Sequence, residues 1–454
     1  MVEGAMRLVI IGGSDAGISA AVRAKELDPF ADVAVLLGDD YPNYSVCGLP
    51  FLLSGEVDDW HRLAHRTREQ LDEAGIRVLA RHRVLGIDPV RKEVEVIRGD
   101  DQLTTISYDR LVIATGARAR NPFGDAGARL GGVFSLRTMG DSLALAGYIE
   151  ECKPASAIIV GAGYIGVEMA DALTRRGLDV ALVGHGVLGT VDSDLGDLVR
   201  GELERRGVKV LATSARDVSR RGDRLAVSLS VGPDQHTDLV IIAAGVEPET
   251  DLAHRAGVAL GDTGAIAVNR SMATNVPDVF AAGDCVETWH ALLRRAVYQP
   301  LGTTAHKQGR IAGENALGGT AEYVGSYGTQ VVKVFDLAVA RTGLSEMEAR
   351  GAGLRPLTVE KRCPDRTAYY PDAHELRIRL TADIDTGLIV GGQIVGDWRG
   401  QVAKRIDIVA TAVFNEMPVQ DLDRLDLSYT PPLSTPWDPV QLAGHAWLAA
   451  ATGL

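Results

Sequence analysis

The sequence predicts an α/β protein built around two strand–helix–strand (βαβ) units. Apolar runs at residues 8–11 and 157–160 each lead into a glycine-rich turn and a helical segment, and the two turns begin 149 residues apart. The 51 glycines and an aromatic content of only 5% favour an architecture with many tight turns. A length of 454 residues is typical of about three domains.

The first glycine-rich turn opens a helix and is followed by a second apolar run at residues 33–37. It comprises Gly12, Gly13, Ser14, Asp15, Ala16 and Gly17. Its glycines allow the backbone to approach a ligand closely, and a helix N-terminus at this place faces a pyrophosphate. Ser14 stands where the middle glycine is usual, so the match to the dinucleotide fingerprint is imperfect.

The second glycine-rich turn fits the dinucleotide fingerprint in full. It comprises Gly161, Ala162, Gly163, Tyr164, Ile165 and Gly166. One such turn is weak evidence, but two in one chain are much harder to explain by chance. The pair therefore predicts two dinucleotide sites, one for each half.

Three further apolar segments end in turns of small or polar residues. The segment 109–117 ends with Thr115 and Gly116, and the segment 238–244 is followed by Gly245. The third segment ends with Gly283 and Asp284. A carboxylate at the C-terminal end of a strand is well placed to accept a hydrogen bond from a sugar hydroxyl.

Cys47 has no second cysteine close to it in the sequence. The others, Cys152, Cys285 and Cys363, are all far away along the chain. A redox role for Cys47 would therefore involve a single sulfur, as a mixed disulfide with a small thiol, a persulfide or a sulfenic acid. We expect the other three to be surface or structural cysteines. Among them only Cys363 is a candidate for a redox role, and it is a weaker candidate than Cys47.

Composition excludes several partner classes. A net charge of −13 and a pI near 5.3 argue against nucleic acid and anionic membranes as partners. No segment approaches the roughly 20 apolar residues of a transmembrane helix, and the N-terminal apolar run is too short for a signal peptide. Four cysteines without framework spacing suit a reducing compartment. We expect a cytoplasmic protein without a metal site.

The order of these segments resembles the pyridine nucleotide–disulfide oxidoreductases, which are flavoproteins with two dinucleotide sites. Cys47 in its Cys-Gly-Leu-Pro setting resembles the single-cysteine branch of coenzyme A disulfide reductase, NADH oxidase and NADH peroxidase. Segments similar to the dimerisation domain of that branch lie at 332–337, 342–345, 369–371, 404–407, 429–432 and 438–440.

The resemblance implies a glutathione-reductase-like fold. It assigns residues 1–120 and 248–324 to an FAD-binding domain, 121–247 to an NAD(P)H-binding domain, and 325–454 to an α+β dimerisation domain. The residues it implies at the cofactors are Gly12, Ser14, Asp15, Ala16, Gly17, Asp39, Thr115, Gly116, Gly161, Gly163, Tyr164, Ile165, Gly166, Glu168, His185, Gly245, Gly283, Asp284, Thr303 and Thr304. Tyr164 would cover the flavin ring, and Glu168 would lie near the nicotinamide.

The chain departs from the family pattern at both ribose positions. Relatives usually end the second strand of each βαβ unit with an acidic residue, where this chain has Leu37 and Gly184. For FAD, Asp39 or its neighbour Asp40 is expected to substitute. At the second site, a missing carboxylate removes repulsion of a 2′-phosphate, and the adjacent His185 slightly favours NADPH over NADH.

Two further departures concern the substrate. Asp15 stands where oxidase and peroxidase relatives carry a histidine, which weakens a peroxidase interpretation because aspartate donates a proton only if its pKa is raised; its alternative role is to cap the helix. Relatives that reduce coenzyme A disulfide carry a basic first helix, and here Glu26 interrupts Arg23 and Lys25. A second basic stretch, either phosphate-binding or solvated, comprises His61, Arg62, His65, Arg66 and Arg68.

These observations predict a homodimeric NAD(P)H-dependent FAD oxidoreductase. Its substrate would be a small disulfide, persulfide or polysulfide, with coenzyme A as a candidate carrier, reduced through the thiolate of Cys47. By the resemblance, Tyr429 and Tyr370 would come from the other subunit as acids, with Tyr369 competing for the place of Tyr370. The alternatives are an oxidase or peroxidase that uses a sulfenate, and an electron-transfer flavoprotein with a protein partner.

Overall fold

The computed structural model describes residues 5–453, which form two compact units. The first unit comprises residues up to 154 together with 244–289 and 295–325. The second comprises 155–243, 290–294 and 326–453. The division into three domains at residues 120, 247 and 324 stays a prediction.

The elements up to residue 154 are β1 (Arg7–Ile11), α1 (Asp15–Leu27), β2 (Asp32–Leu36), α2 (Leu49–Ser54), α3 (Arg68–Glu73), β3 (Ile76–Leu79), β4 (His82–Asp88), β5 (Glu93–Arg98), β6 (Leu103–Ser107), β7 (Arg110–Ile113), β8 (Ala117–Ala119), α4 (Gly124–Ala128), β9 (Val133–Ser135) and α5 (Met139–Cys152), with 3₁₀ turns at Val46–Gly48 and Trp60–Leu63.

Residues 155–243 form β10 (Ser156–Val160), α6 (Tyr164–Arg175), β11 (Asp179–Val183), α7 (Ser193–Arg205), β12 (Lys209–Leu211), β13 (Ala215–Arg221), β14 (Arg224–Leu229), β15 (Gln235–Thr237) and β16 (Leu239–Ile242).

Residues 244–325 form β17 (Val246–Pro248), α8 (Asp251–Arg255), β18 (Val279–Ala281), β19 (Thr288–His290), β20 (Arg295–Val297) and α9 (Gly302–Ala316).

The remaining elements are β21 (Gln330–Val334), β22 (Leu337–Gly343), α10 (Glu346–Gly351), β23 (Pro356–Pro364), β24 (Glu375–Asp383), β25 (Ile389–Asp397), α11 (Val402–Phe414), α12 (Val419–Asp423) and α13 (Pro439–Ala451), with a 3₁₀ turn at Trp398–Gly400.

A parallel five-stranded sheet organises the first unit. Its strand order is β18-β7-β1-β2-β3, and all neighbouring strands are parallel. In the central pair of β1 and β2, Arg7 lies opposite Asp32 and Ile11 lies opposite Leu36. Strands buried on both faces read as continuous apolar runs, which is why the runs at β1 and β7 were recognisable. The C-terminal ends of β1, β7 and β18 meet at one edge, where ligands bind in open α/β sheets.

Helices α1 and α9 pack closely against each other in the first unit. A Cβ added at Gly309 would lie 2.2 Å from the carbonyl oxygen of Ala16, and one at Gly313 would lie 2.2 Å from that of Ala20. These distances are far below ordinary van der Waals contact. The two glycines therefore allow the helix backbones to touch, and they fix where the first turns of both helices lie.

The second unit contains its own parallel strands in the order β12-β11-β10-β16 and an antiparallel sheet β13-β14-β15. Its C-terminal part is an antiparallel five-stranded sheet in the order β21-β22-β25-β24-β23. Alternate residues of β24, such as Leu376, Ile378 and Leu380, are buried against α11 and α13. This pattern is typical of an α+β layer with one buried sheet face.

Among the helices of residues 5–453, none is both long enough and apolar enough to cross a membrane.

Candidate active site

The first glycine-rich turn is as tight as a dinucleotide-binding turn requires. Gly12 has φ of +114°, and a Cβ added there would lie 2.1 Å from the carbonyl oxygen of Ala114. A Cβ on Gly17 would lie 1.9 Å from the carbonyl oxygen of Gly12. No other residue type fits either position without movement of the backbone. The turn keeps this geometry with Ser14 as the N-cap residue of α1 and Ala16 buried in its first turn.

The turn after β18 lies beside the first glycine-rich turn. Gly283 has φ of +88°, and its N–H donates to the side-chain carbonyl of Gln308 at 3.0 Å. The mostly buried carboxylate of Asp284 forms an ion pair with Arg137, whose Nε also donates to the carbonyl of Ala117 at 3.0 Å. Asp284 is thus held at a strand end by a cation that the sequence analysis did not identify.

Thr115 and Gly116 close the chain at the end of β7. The Thr115 hydroxyl donates to the carbonyl of Glu249 at 2.6 Å, and the Glu249 N–H donates to the carbonyl of Gly116 at 2.9 Å. Gly245, with φ of +99°, accepts the N–H of Arg120 at 2.9 Å. These residues join two strand ends, and the hydroxyl of Thr115 is occupied by the protein itself.

Several buried polar atoms around these turns lack a hydrogen-bond partner within residues 5–453. They are both polar side-chain atoms of Asn43, the hydroxyl of Tyr298 and Oε1 of Gln299. Asn43 is only 1% exposed and has φ of +57°. Buried polar groups are normally paired, so a group of unpaired ones at one sheet edge indicates a bound molecule that supplies the partners.

Asp39 and Asp40 differ in whether their carboxylates are free to accept a hydrogen bond from the ribose of FAD. Asp40 forms an exposed ion pair with Arg81 at 2.7 Å. Asp39 is half-buried and accepts the N–H of Tyr41 at 2.9 Å, while burial raises the pKa of its carboxyl. This arrangement favours Asp39 over Asp40 as the acceptor of a ribose hydroxyl.

The N-terminus of α9 lies against that of α1. A Cβ added at Gly302 would lie 3.3 Å from Oδ2 of Asp15. Thr304 is 5% exposed, whereas Thr303 is exposed. Burial raises the pKa of the Asp15 carboxyl, although His306 and His65 act in the opposite direction. Because a raised pKa lets an aspartate donate a proton more readily, Asp15 is weaker evidence against a peroxidase than the sequence suggested.

Cys47 is exposed and lies in the 3₁₀ turn that leads into α2. Backbone hydrogen bonds fix its loop on two sides. The Asn43 N–H donates to the carbonyl of Gly13 at 2.8 Å, and the His65 N–H donates to the carbonyl of Asn43 at 2.9 Å. The loop is therefore attached to the first glycine-rich turn.

An aromatic cluster packs within the same loop region. The ring of Trp60 lies 5.6 Å from that of Tyr41 and 5.5 Å from that of Tyr44, both measured between centroids. Leu49 and Leu63 complete this small core. The sequence analysis did not identify this cluster, because its members follow no helix or strand period.

The basic residues proposed for phosphate binding are largely paired. Arg23 contacts Glu314 at 2.6 Å and Glu26 at 3.1 Å. The ammonium of Lys25 donates to the carbonyls of Pro29 and Ala31. Helix α1 therefore offers little unpaired positive charge.

The second basic stretch is partly paired as well. Arg62 pairs with Asp58 at 2.9 Å, and His61 contacts Asp59 at 2.7 Å. Arg68 donates to the carbonyl of Val78 at 3.1 Å. These partners account for most of the charge in the stretch.

The second glycine-rich turn repeats the geometry of the first. Gly161 has φ of +114°, and a Cβ on Gly166 would lie 1.8 Å from the carbonyl oxygen of Gly161. Gly163 is the N-cap residue of α6, and Ile165 is half-buried in its first turn. Two turns of the same shape support two dinucleotide sites.

Tyr164 and Glu168 lie on the first two turns of α6. The hydroxyl of Tyr164 accepts a hydrogen bond from Thr190 at 3.0 Å, and burial raises its pKa. Burial also raises the pKa of Glu168 to about 7, with Asp171 acting in the same direction and Lys333 against it. A carboxyl with a pKa near neutrality is a group that exchanges protons under working conditions.

The end of β11 has no room for a side chain at Gly184. A Cβ added there would lie 2.7 Å from the Cβ of Ala162 and 3.1 Å from its backbone nitrogen. The ribose carboxylate of the family is thus excluded sterically at this position. The neighbouring His185 is exposed, and its Nε2 lies 2.7 Å from the hydroxyl oxygen of Ser214.

The C-terminal tyrosines are arranged differently from the expected pair. Tyr429 has Tyr369 as its interacting neighbour, and partial desolvation together with this neighbour raises the pKa of Tyr429. Tyr370 is 37% exposed, and its N–H donates to the carbonyl of Thr367. The contact favours Tyr369 over Tyr370 as the companion of Tyr429.

Two other cysteines are unsuited to redox chemistry. Cys285 is fully buried and donates to the carbonyls of Ala282 and Ile113. Cys363 is 7% exposed in β23, and burial raises its pKa to about 11. A buried thiol with a raised pKa is a poor nucleophile.

Comparison with known proteins identifies the family. A family model described as pyridine nucleotide-disulphide oxidoreductase matches residues 6–309, and the dimerisation domain of that family matches residues 329–439. The chain belongs to the pyridine nucleotide-disulphide oxidoreductases. The family and the fold expected from the sequence are thereby confirmed.

Relatives within this family cover almost the whole chain. The NADH oxidase of Methanocaldococcus jannaschii is 33% identical, covering 97% of this chain and 98% of the relative. The NAD(P)H coenzyme A polysulfide/persulfide reductase of Pyrococcus horikoshii is 32% identical, covering 96% of each chain. The structure of an NAD-dependent persulfide reductase from A. fulgidus aligns with a TM-score of 0.93 at 34% identity, covering 99% of this chain and 84% of that one.

The protein is therefore an FAD-dependent oxidoreductase that uses a pyridine nucleotide, and its dimerisation domain supports a homodimer. The residues of the first unit fit FAD. The turn at Gly12 and Gly17 is too tight for any Cβ, and Asn43, whose N–H donates to the carbonyl of Gly13, carries unpaired polar side-chain atoms. Asp284 and Asp39 supply carboxylates at two strand ends, where a flavin dinucleotide has hydroxyl groups to bind.

Sequence reasoning missed several side chains near these sites. Arg137 pairs with Asp284, Tyr298 and Gln299 precede α9, and Thr190 contacts Tyr164. None of them belongs to a motif, and the contacts of Arg137 and Thr190 join residues that are 147 and 26 positions apart in the chain.

Proposed function

We propose that this oxidoreductase reduces a small disulfide, persulfide or polysulfide through Cys47. The observation that carries the proposal is the setting of this cysteine. Its side chain is exposed, its loop is hydrogen-bonded to the first glycine-rich turn, and no other cysteine is close in sequence. One accessible sulfur can accept a small sulfur substrate, whereas a buried cysteine pair would serve a different reaction.

The reaction begins with the thiolate of Cys47. It attacks one sulfur of the substrate, so that an S–S bond to Cys47 forms, the substrate S–S bond breaks and one thiolate leaves. Two electrons and a proton then cleave the mixed disulfide and release the second thiol. For a persulfide, the overall products are one thiol and one hydrogen sulfide. When bound, FAD supplies the two electrons that it has accepted from the pyridine nucleotide.

Residues of this chain have further roles in the proposal. Tyr429 of the partner subunit protonates the leaving thiolate, a role supported by the resemblance and by the exposure of this residue. Tyr369 is the neighbour that acts on the Tyr429 hydroxyl and helps to raise its pKa. Glu168 and Tyr164 line the pyridine nucleotide site, and Gly184 with His185 favours NADPH.

Coenzyme A is the substrate carrier we propose. Support comes from the relative named a coenzyme A polysulfide/persulfide reductase. In this chain, Arg66 is the basic residue best available for its phosphates, because it is exposed and forms no ion pair within residues 5–453. The pairing of Arg23 with Glu314 means that α1 contributes less charge than in a basic first helix.

The test compares wild type with Cys47→Ser without oxygen. Wild type is expected to release two thiols from coenzyme A disulfide for each NADPH consumed. Cys47→Ser should lose this turnover by at least about 10³-fold, as expected for loss of a covalent nucleophile. Stopped-flow reduction of the flavin by NADPH should be unchanged. Full disulfide reduction by the variant would contradict the proposal.

A second candidate is an oxidase that forms a sulfenate at Cys47. It is supported by the 33% identity to an NADH oxidase. In this case wild type would reduce oxygen to water, and Cys47→Ser would release hydrogen peroxide instead. Measuring both products with oxygen admitted separates the two functions. Unchanged turnover of Cys47→Ser with every acceptor would favour an electron-transfer flavoprotein.

We also propose a cytoplasmic location. Its support is that, across residues 5–453, none of the four cysteines forms a disulfide, which suits a reducing compartment.

A further inference from the structure

Three potential metal ligands from distant segments meet in the first unit. Asp15 is the first residue of α1, His65 lies after the 3₁₀ turn Trp60–Leu63, and His306 lies on α9. One ligand atom of each lies within 4.8 Å of the others. Separations of 50 and 241 residues along the chain leave no spacing motif, which explains why the sequence analysis expected no metal site.

The distance between two of these atoms matches a metal site better than a hydrogen bond. Nε2 of His306 lies 3.4 Å from Oδ1 of Asp15. That is long for an N–H···O bond, whose usual range ends near 3.2 Å. Two ligands on a tetrahedral zinc ion, with bonds of about 2.0–2.1 Å, lie about 3.3 Å apart. Moreover, Oδ1 of Asp15 is buried without a hydrogen-bond partner in the described part of the chain.

The surroundings orient His306 as a ligand. Its Nδ1 lies 2.8 Å from the hydroxyl oxygen of Ser19, one turn after Asp15 on α1. Metal-binding histidines almost always engage their second ring nitrogen in this way, which fixes the ring and directs the other nitrogen at the ion. The close packing at Gly309 fixes α9 against α1, so Asp15 and His306 are presented on rigid elements.

His65 comes from the loop side of the cluster. Its ring centroid lies 6.0 Å from that of His306, in an edge-on arrangement. Its backbone N–H is held by the carbonyl of Asn43. Its side chain is exposed, so an ion can enter from solvent.

The donor set selects the class of metal. Two imidazoles and one carboxylate suit zinc and similar transition metals, whereas magnesium and calcium prefer oxygen ligands only. Three protein ligands leave one position open for water or a small-molecule thiolate. We propose that Asp15, His65 and His306 bind one Zn²⁺ ion, which links the loop that carries Cys47 to α1 and α9.

The test uses the FAD-loaded protein after removal of metal by a chelator. Titration with Zn²⁺ in a calorimeter is expected to show one ion per chain, and Co²⁺ is expected to give the visible absorption of a low-coordinate site. Asp15→Asn, His65→Gln and His306→Gln should each weaken zinc binding by at least about ten-fold. His61→Gln is the matched control on the same loop and should bind normally. Flavin absorbance confirms that each variant retains its cofactor.

Two results would overturn the proposal. One is zinc binding by the His306→Gln and His65→Gln variants at the wild-type affinity. The other is loss of binding in Cys47→Ser alone, which would assign the ion to the cysteine. If Asp15→Asn loses FAD, the two histidine variants still decide the question, because their ring positions lie outside the glycine-rich turn.

Discussion

At the scale of one residue, Gly184 determines whether the protein can place a carboxylate against the adenosine ribose of the coenzyme. A Cβ there would meet Ala162 at 2.7 Å, so an acidic side chain requires the turn to move. We expect NADPH to be used at least as well as NADH, measured as kcat/KM. His185→Ala should lower kcat/KM for NADPH several-fold and leave that for NADH unchanged, because only NADPH carries the 2′-phosphate.

The same contact predicts how the preference can be changed. Gly184→Asp alone should impair both coenzymes, since the new side chain displaces Ala162. Gly184→Asp combined with Ala162→Gly should restore use of NADH. A strong NADH preference in the wild type would show that another residue supplies the ribose carboxylate.

Glu168 predicts a specific dependence of stability on pH. Its pKa is about 7 in the folded protein and about 4.5 when unfolded, so the folded state is penalised as pH rises through this window. Glu168→Gln removes the penalty. We expect the melting temperature of the variant to rise relative to wild type between pH 5 and pH 8, with a limiting difference of about 3 kcal/mol in unfolding free energy.

Glu348→Gln is the matched control with the opposite sign. Burial alone would raise the pKa of Glu348, but hydrogen bonds from Arg341 and Ser345 lower it. Its contribution to stability is therefore present above about pH 4.5 and is lost as the pH falls. A parallel trend for both variants would contradict the assignment of Glu168.

Single residues also show where sequence reasoning reached its limit. The glycines of both turns follow from local patterns, because a turn constrains its own residues. The choice of Asp39 over Asp40 depends on Arg81, 41 residues away from Asp40. The preference for Tyr369 over Tyr370 depends on Tyr429, and no local pattern contains that information.

At the scale of elements, the contact between α1 and α9 holds the first glycine-rich turn in place. Gly309→Ala would place a methyl group 2.2 Å from the carbonyl of Ala16, and the helices must then separate. We expect a loss of about 1–3 kcal/mol in stability, as for other overpacked sites. The flavin content after purification should fall as well, because the same helices hold the glycine-rich turn.

Gly147→Ala on α5 is the control for that prediction. A Cβ at this glycine meets no atom within 4 Å in the described part of the chain. Alanine also favours a helix over glycine by about 1 kcal/mol, so the control should be slightly stabilised. Equal effects of the two substitutions would show that helix packing at Gly309 is unimportant.

Strand–helix–strand units are elements that a sequence reveals well. Continuous apolar runs at β1, β7, β10 and β16 marked buried parallel strands, and glycine spacing marked the turns. The packing of α1 on α9 was not predictable in the same way. Its small residues are spread over helices nearly 300 residues apart, and each helix alone has an ordinary sequence.

At the scale of the whole molecule, the dimer permits a direct test of where Tyr429 acts. A heterodimer of Cys47→Ser and Tyr429→Phe subunits contains one site with both original groups if Tyr429 of the partner subunit completes each site. Tyr429→Phe should lower turnover by about 10²-fold as a homodimer. The co-expressed heterodimer should then recover about half of the wild-type activity per dimer, measured as disulfide reduction.

The control is a heterodimer of wild-type and Cys47→Ser subunits, which also contains one intact site. Activity of the mixed-variant dimer no higher than that of the Tyr429→Phe homodimer would place both groups in one subunit. Exposed aromatic side chains in the C-terminal part, including Tyr369, Trp398 and Trp437, suit a surface that dimerisation covers.

The interrupted course of the first unit has a consequence for synthesis on the ribosome. Strand β7 and helix α1 need β18 and α9 as neighbours, but the chain first passes through residues 155–243, which belong to the other unit. At 5–20 residues per second, helix α1 waits roughly 15–60 s for α9 to emerge. The other unit is completed later still, once residues 326–453 are made. A nascent chain that stops before residue 279 thus lacks strand β18 of the first parallel sheet and the whole antiparallel sheet β21–β25, and it would be a client for chaperones and proteases rather than a smaller flavin-binding protein.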